Sequence, residues 1–236
     1  ESHVLENLSP STPYELYART SCGGGAYSAN SCPVAFTTDC EINQPVSDLL
    51  DVDDLPACGA NCFCGIDYPL NTFWENRTEG DDFDWLVREG PATVDLQTGP
   101  FSDVSGNGRY LYLETLNSAC QKGAEAVLQS GCMVVMDTPG EVCHLSFYYH
   151  MWGLGMGDLL VEASQDGGIQ WTSLWMESGN QGSNWHKAYV DLSPFSGDTI
   201  QLRFRGVSGP LRTSQMAIDE VALYGVELLG EPDMLV

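Results

Sequence analysis

Positive charge is scarce in this sequence of 236 residues, which has 9 Lys and Arg against 33 Asp and Glu and a formal net charge of −24 at pH 7. Such an acidic surface repels phosphate groups, so nucleic acids and anionic membranes are not expected partners. No apolar run approaches the roughly 20 residues of a membrane-spanning helix. No basic segment followed by an apolar stretch opens the chain, so any signal peptide is expected to have been removed. We therefore expect no nucleic-acid binding and no membrane insertion.

Motifs of catalytic sites are also missing. The sequence contains no His-Glu-x-x-His run, no Gly-x-Ser-x-Gly elbow and no glycine-rich loop for phosphates. Neighbouring carboxylates such as Asp81 and Asp82 are too common in this acidic chain to indicate acid–base chemistry. His150 falls within a strand pattern, where a hydrogen-bonded structural histidine is expected. The sequence predicts no catalytic residues, and hence a protein that is not an enzyme.

Turn formers and alternating apolar residues dominate what is present. The chain has 25 Gly and 12 Pro, which favours short strands over helices. Apolar and polar residues alternate over 144–151, 159–163, 187–192 and 200–205, as in half-buried strands of antiparallel sheets. The segments 166–168 and 196–198 have the composition of hairpin turns, and Pro45–Leu55 is the one stretch compatible with a short helix.

Cysteine usage indicates the compartment. Nine cysteines are unusual in a reducing environment and common in secreted proteins, so we expect an extracellular protein, secreted or at the cell surface. Two sequons, at Asn7 and Asn76, are glycosylation candidates if the source has that pathway. Pro10 follows the first sequon and weakens it.

Several separated motifs occur in the order of a known domain family. They are Asp81–Trp85, Thr98–Pro100, Gly108–Glu114, Phe147–Gly153 and Ala217–Val221. Over residues 71–228 this arrangement resembles the MAM domain of meprins, neuropilins and receptor tyrosine phosphatases. The resemblance implies an all-β fold, a jelly-roll β-sandwich.

The N-terminal residues 1–40 are similar to the second half of a fibronectin type III domain. Leu8–Tyr14 would be its tyrosine corner and Phe36–Thr38 would close its last strand, with strands expected at Tyr14–Thr20 and Pro33–Thr38. The expected organisation is then a partial fibronectin type III sandwich at 1–40, an acidic Cys-rich linker at 41–70, a MAM-like jelly roll at 71–228 and a C-terminal tail at 229–236.

Disulfides are favoured over zinc for the cysteines, because the crowded group near residue 60 has no fourth ligand in register. Cys22–Cys32 would brace the fibronectin-like hairpin and Cys120–Cys132 would join neighbouring strands, with Cys143 as a competitor for Cys132. Four pairs leave one thiol over, and its partner is left open. The disulfide candidates are Cys22, Cys32, Cys40, Cys58, Cys62, Cys64, Cys120, Cys132 and Cys143.

A structural calcium ion is the one cofactor that the resemblance suggests. Calcium needs several oxygen ligands, which carboxylates supply. Matching motifs point to Glu75, Asp103 and Asp219 as metal ligands, although Asp103 stands in a run that departs from the family pattern. The alternative is that all three are ordinary surface carboxylates.

The tryptophans and tyrosines have two possible roles. Exposed aromatic side chains could contact a glycan, whereas aromatic side chains in the core would serve packing. Trp85 and Trp185 fall on family landmarks and are expected in the core. Tyr68, Trp74 and Trp152 are the candidates for ligand-facing aromatics.

These observations predict a non-catalytic extracellular adhesion, recognition or structural interaction module of a larger secreted or surface protein. Its partners would be other extracellular proteins, including copies of itself, or glycans. The alternative is a carbohydrate-binding appendage of a secreted hydrolase, and the fold alone does not decide between the two.

Overall fold

The computed structural model describes residues 73–77, 80–93, 97–116, 122–137 and 142–229 with their side chains, and five short strands before residue 51 as backbone. The strands in chain order are β1 (Pro13–Leu16), β2 (Ser21–Gly23), β3 (Ala26–Tyr27), β4 (Val34–Thr37), β5 (Asp48–Leu50), β6 (Trp74–Asn76), β7 (Leu86–Glu89), β8 (Arg109–Tyr112), β9 (Glu125–Ser130), β10 (Met133–Val135), β11 (His144–Met151), β12 (Asp158–Ser164), β13 (Thr172–Ser178), β14 (His186–Asp191), β15 (Thr199–Val207), β16 (Met216–Tyr224) and β17 (Val226–Leu228). A single turn of 3-10 helix, Ser193–Phe195, precedes β15.

Two large antiparallel sheets contain most of these strands. In the seven-stranded sheet the order is β13-β12-β15. The other edge of β15 pairs with two strands, with β10 at the N-terminal end of β15 and with β9 at the C-terminal end of β15. Strands β17 and β6 extend the sheet beyond β10 and β9 respectively. The six-stranded sheet has the order β14-β11-β16-β8-β7, with β5 also paired to β16. This all-β architecture is the β-sandwich expected from the alternation.

The core forms where the inner faces of the two sheets meet. The inner residues of β11 pack against those of the seven-stranded sheet, and the Phe147 and Phe204 rings lie 4.9 Å apart at 82°. Trp74 and Trp85 are also fully buried in this cluster. Edge-to-face aromatic contacts of this kind add to the burial of apolar area.

A second, smaller cluster lies on the outer face of the six-stranded sheet. It contains Tyr110, Tyr112 and Ala217, with Trp185 packed against them. The Nε1 of Trp185 donates to the carbonyl of Ser102, 3.0 Å away, and so ties the β7–β8 loop over this face. Trp85 is buried, as predicted. Trp185, which was also expected in the core, is only half-buried beneath that loop.

Two local predictions were wrong. Part of the segment Pro45–Leu55, expected as a helix, forms strand β5, because Asp48–Leu50 pairs with the edge of β16. The segment 196–198 does not close a hairpin, because β14 belongs to one sheet and β15 to the other. The turn at 166–168 does join the antiparallel neighbours β12 and β13, as predicted.

The N-terminal strands form two antiparallel pairs. Strand β1 pairs with β4 from Pro13–Thr37 to Leu16–Val34, close to the two expected strands, and β2 pairs with β3. These pairings alone do not show a fibronectin type III sandwich, which stays a prediction. Among the described residues, no helix has the length and hydropathy needed to cross a membrane.

Candidate functional site

Four loop segments of the described residues meet at one end of the sandwich, and we call their surface the loop end. They are part of the β7–β8 loop (97–102), the β11–β12 loop (152–157), the β13–β14 loop (179–185) and the β15–β16 loop (208–215). Backbone hydrogen bonds connect them: Gly99 N donates to Trp152 O at 3.0 Å, and Gln181 N donates to Met151 O at 2.7 Å. The loops therefore form one continuous surface, although they lie far apart in sequence.

Glycines allow these backbones to approach very closely. A Cβ atom on Gly157 would lie 2.0 Å from the Val207 carbonyl oxygen, and one on Gly209 would lie 1.8 Å from that of Gly155. A Cβ on Gly155 would meet Leu211 Cβ at 2.3 Å. No larger residue fits at such distances, so the glycines fix the relative positions of the loops.

Large apolar side chains project from this glycine framework. Leu154 is 89% exposed, Phe101 is 63% exposed and Leu211 is 56% exposed. The half-buried Trp152 supports the patch, with its ring 5.7 Å from that of Phe101. The four loop segments contain none of the 33 Asp and Glu residues and only one basic residue, Arg212. Glu114 of the β8–β9 loop borders this patch, because its Oε1 accepts from Gln215 Nε2 at 3.0 Å. The exposed apolar side chains nevertheless form a patch of the kind that marks interaction sites.

Sequence reasoning did not identify Phe101, Leu154 and Leu211. A signal was present: apolar residues alternate with glycines over Trp152–Gly157, and Gly209–Leu211 repeats the combination of Gly and Leu. Large apolar residues are uncommon in solvent-exposed loops, so these two segments could have indicated a surface patch. The convergence of the loops, however, depends on the topology.

Two predicted metal ligands lie close together, Asp103 in the β7–β8 loop and Asp219 on β16 beneath that loop. Val104 N and Glu220 N donate to the two oxygens of Asp219 at 2.9 and 2.8 Å. Ser105 donates to Asp103 Oδ2 through its backbone N at 2.8 Å and through its hydroxyl. Asp103 Oδ1 is buried and accepts no hydrogen bond from the described residues. A buried carboxylate oxygen in this state suits a cation.

The electrostatics of the two carboxylates differ. Burial raises the pKa of Asp219 to about 6, and the neighbouring negative charges of Asp103 and Glu220 add to the shift. For Asp103, burial opposes the charge, but hydrogen bonds from Ser105 and the loop backbone outweigh it and lower the pKa. Glu220 adopts a positive φ of 46°, an uncommon conformation for a residue with a side chain. Backbone strain at Glu220 and desolvation of the adjacent Asp219 are typical of a functional position.

Glu75 does not join this pair. It is exposed on β6 of the seven-stranded sheet, where it pairs in register with Gln129, while Asp219 is on the six-stranded sheet. Within the part of the chain that is described, no three His, Cys, Asp or Glu side chains are grouped to hold a metal ion. The predicted set of three ligands is therefore reduced to Asp103 and Asp219.

The predicted ligand-facing aromatics have different positions. Trp74 is fully buried and tilts against Phe204 at 5.2 Å, so that prediction was wrong. Trp152 is half-buried at the loop end, and Tyr68 lies outside the described residues. His150 is buried beside Trp185, and burial lowers its pKa to about 4, as suits a structural, neutral histidine.

The amide of Asn76 is engaged on both sides. Its Nδ2 donates to Trp85 O at 2.9 Å, and its Oδ1 accepts from Trp85 N at 2.9 Å. A glycan replaces one of the two Nδ2 hydrogens, so the bond to Trp85 O would have to be made by the other. Glycosylation of Asn76 stays a prediction. Asn7, the other candidate, lies outside the described residues.

The cysteines are described only in part. Cys132 is disulfide-bonded, and the buried Sγ of Cys143 donates to Met136 O at 3.3 Å. Cys22 lies in β2, whose backbone alone is described. The proposed pairings stay predictions, because the remaining candidates lie outside the described residues: Cys32, Cys40, Cys58, Cys62, Cys64 and Cys120.

Curated proteins from vertebrates are similar to this chain. MAM domain-containing glycosylphosphatidylinositol anchor protein 1 from Gallus gallus is 30% identical over 231 residues, which is 94% of this chain and 22% of that protein. The protein of the same name from Homo sapiens is 37% identical over 150 residues, 61% of this chain and 15% of that protein. This chain thus spans about a fifth or less of these relatives. Their anchored, cell-surface character confirms the expected extracellular or cell-surface location.

Among solved structures, the K1 cleaved adhesin domain of Lys-gingipain from Porphyromonas gingivalis W83 gives a TM-score of 0.44 at 18% identity, covering 66% of this chain and 93% of that one. This likeness is too distant to carry an argument about function. The family model described as "MAM domain, meprin/A5/mu" matches residues 59–227, which include both large sheets apart from β5 and the end of β17. This chain belongs to the MAM domain family.

Proposed function

We propose that this chain is a non-catalytic recognition module of a larger extracellular protein and that it binds a partner protein through the loop end. The observation that carries the proposal is the exposure of Leu154, Phe101 and Leu211 on loop segments that themselves contain no carboxylate. The resemblance of the chain to membrane-anchored MAM proteins supports an adhesion-type role.

The physical properties of the loop end suit a protein contact. Burying exposed apolar side chains in a partner's groove yields about 25 cal/mol per Å² of area removed from water. A contact confined to the four loop segments avoids desolvating a carboxylate, because those segments contain none. The glycine framework holds the side chains in place, so little conformational entropy is lost on binding. Such a surface binds an apolar groove on another protein.

The acidic pair beneath the loop has a structural role in this proposal. We propose that Asp103 and Asp219 contribute oxygen ligands to a calcium ion, which would relieve their repulsion and satisfy Asp103 Oδ1. Calcium takes six to eight oxygens, so these two side chains supply only part of the shell. The ion would fasten the β7–β8 loop, which carries Phe101, to the sheet.

Cell and bead binding tests the role of the loop end. The chain, displayed on beads, is applied to cells and to beads that carry the same chain, with and without prior protease treatment of the cells. The double variant Leu154→Asp/Leu211→Asp is compared with Ile169→Asp, whose side chain is 70% exposed far from the loop end.

We expect the double variant to lose protease-sensitive cell binding or bead clustering and the Ile169 variant to keep it. Equal binding by both variants would contradict the proposal. Binding of the chain to protein-free lipid vesicles, lost in the double variant, would assign the loop end to membranes instead.

Thermal melts test the calcium proposal. The chain should melt at a higher temperature in calcium than in chelator, and Asp103→Asn should remove that difference. Glu75→Gln is the matched control, because Glu75 lies on the other sheet, and it should keep the difference. Equal midpoints for the unaltered chain would contradict the proposal.

A further inference from the structure

Strand β14 forms one edge of the six-stranded sheet. It pairs with β11 along its whole length without a register shift, and no described strand lies against its other side. By contrast β13, an edge strand of the seven-stranded sheet, has a bulge in its pairing with β12. Natural edge strands are often blunted by bulges, proline or charge. The six residues of β14 contain no proline and no bulge, so charge is the one such feature on its free side.

The hydrogen bonds between β14 and β11 show which main-chain groups face that free side. Leu192 N donates to Cys143 O at 2.9 Å, and these two residues continue the register of the two strands. Hydrogen-bonded and non-hydrogen-bonded pairs alternate along an antiparallel ladder, so the even-numbered residues of β14 bond to β11. The main-chain N–H and C=O groups of Lys187, Tyr189 and Asp191 therefore point away from β11, toward the free side.

The side chains of the same three residues project from the outer face of the sheet. Lys187 and Asp191 are exposed and Tyr189 is 63% exposed, whereas the two residues between them are buried. Lys187 Nζ lies 5.1 Å from the centre of the Tyr148 ring and 5.4 Å from that of Tyr189. The His144 ring lies 5.8 Å from the Tyr189 ring on its other flank. These contacts support the exposed side chains, which reduces the entropy lost when a partner binds.

The two charged residues of β14 form no ion pair with the described residues. Lys187 and Asp191 are four residues apart on one strand, which separates their Cα atoms by about 13 Å and prevents them from pairing with each other. Asp191 Oδ1 accepts from Ser193 N at 2.9 Å, and the hydrogen bonds from Ser193 lower the pKa of this carboxyl. Asp191 is therefore charged at neutral pH, and both charges are available to a partner.

The order of the three residues is complementary to itself. When β14 is laid antiparallel against a second β14 about Tyr189, each Lys187 faces the Asp191 of the second copy and the two Tyr189 side chains face each other. Each of these three pairs can exchange two main-chain hydrogen bonds, because the groups of both strands point to the free side. Opposite charges and aromatic rings that face each other across strands stabilise the pairing. A lysine at an edge ordinarily opposes self-pairing, but here the facing aspartate neutralises it.

We propose that two copies of this chain associate through β14, antiparallel and centred on Tyr189, so that their six-stranded sheets form one continuous sheet. A second copy is favoured over another partner because the charges of β14 match their own reverse order, in a chain with only 9 basic residues against 33 acidic ones. The contact has the two-fold symmetry usual for protein dimers. One strand edge buries less area than a standard interface, so the association is weak and depends on concentration. The paired residues lie outside the four loops of the loop end, so this inference goes beyond the proposed function.

Analytical ultracentrifugation of the full chain, in a concentration series that reaches the millimolar range, tests the proposal. Lys187→Asp places two carboxylates opposite each other in both symmetric pairs, and Asp191→Lys places two ammonium groups there. Lys122→Asp is the matched control, because it makes the same charge change at another exposed lysine, in the loop before β9. Thermal melts check that each variant folds.

We expect the unaltered chain and the Lys122→Asp variant to form dimers, and each β14 variant alone to lose at least about tenfold in dimer affinity. An equimolar mixture of the Lys187→Asp and Asp191→Lys variants should associate again, because every carboxylate then faces an ammonium group. Hydrogen exchange at the amides of Lys187, Tyr189 and Asp191 should slow as the concentration of the unaltered chain rises.

A monomer at every concentration, an equal loss in the Lys122→Asp variant, or a mixture that stays monomeric would overturn the proposal. So would loss of the dimer in the Leu154→Asp/Leu211→Asp variant, since the contact would then belong to the loop end. Beads that carry the Lys187→Asp substitution remove this contact from the test of the loop end, so the two proposals can fail separately.

Discussion

The two ends of β12 are built by different means. At the loop end, glycine backbones touch and apolar side chains project into solvent; a Cβ on Gly209 would lie 1.8 Å from Gly155 O. At the other end, formed by the β12–β13 turn (165–171) and called the turn end, hydrogen bonds hold polar groups in place. A Cβ on Gly168 would meet its neighbours there at 3.5 to 3.7 Å, which is ordinary van der Waals contact. Backbone contact makes the first end rigid and apolar, whereas side-chain pairing makes the second polar and adjustable.

Alanine substitution of the two glycines gives the largest expected difference. Gly209→Ala should destabilise the fold by more than about 3 kcal/mol, because the methyl group overlaps a carbonyl that cannot move without its whole loop. Gly168→Ala should cost about 1 kcal/mol, from the positive φ alone. Denaturant unfolding measures both. Similar costs at the two glycines would show that the ends do not differ in backbone packing.

Acid should affect the region beneath the loop end through Asp219. Since burial raises its folded pKa to about 6, above its unfolded value, Asp219 favours folding when protonated and loses this contribution as pH rises to about 6. Compared with Asp219→Asn, the unaltered chain should gain about 2 kcal/mol between pH 7 and pH 4.5 in chelator.

His150 opposes this trend and therefore needs its own control. Its folded pKa of about 4 lies below the ordinary value, so stability is lost as pH falls from about 6.5 toward 4. His150→Gln should remove that loss, which separates the two titrations. A parallel pH dependence in the unaltered chain and the Asp219→Asn variant would contradict the shift at Asp219.

At the polar sheet face beside the turn end, acid should act in the opposite direction. Burial disfavours charge on Glu162, but hydrogen bonds from Arg205 and Arg203 outweigh this and lower its pKa. Its contribution is therefore present above the ordinary carboxyl pKa and is lost as pH falls further. Glu162→Gln should cost about 1 to 2 kcal/mol at pH 7, given the partly exposed arginines, and little near pH 3. Glu125→Gln is the control, because the carboxylate of Glu125 is more exposed, and it should lower the unfolding free energy less. An equal loss for the two variants would contradict the view that Glu162 is the main partner of the two arginines.

The sequence was sufficient for the β-sandwich, because the alternation of Leu145, Phe147 and Tyr149 predicts an inner face, and all three are buried. The expected wet face of the same strand is largely covered, since Ser146 and His150 are buried as well. It was not sufficient for β5, whose strand conformation depends on pairing with β16, which is distant in sequence. Nor did it predict which way Trp74 points, because a three-residue strand has too little pattern. The loop end combines residues from separate loops, and only the topology brings them together.

The smallest expected effect on stability concerns Leu154 and Ile169, which are both largely exposed, at opposite ends of β12. Leu154→Asp and Ile169→Asp should each change the unfolding free energy by less than about 0.5 kcal/mol, because neither side chain is buried. Their effects on the surface should differ, since Leu154 belongs to a patch with Phe101 and Leu211, whereas Ile169 lies in a polar turn. Retention on a phenyl column at high sulfate should fall clearly for Leu154→Asp and only slightly for Ile169→Asp. Equal falls would mean that the loop end behaves as isolated exposed residues, and that no contiguous apolar surface distinguishes it from the turn end.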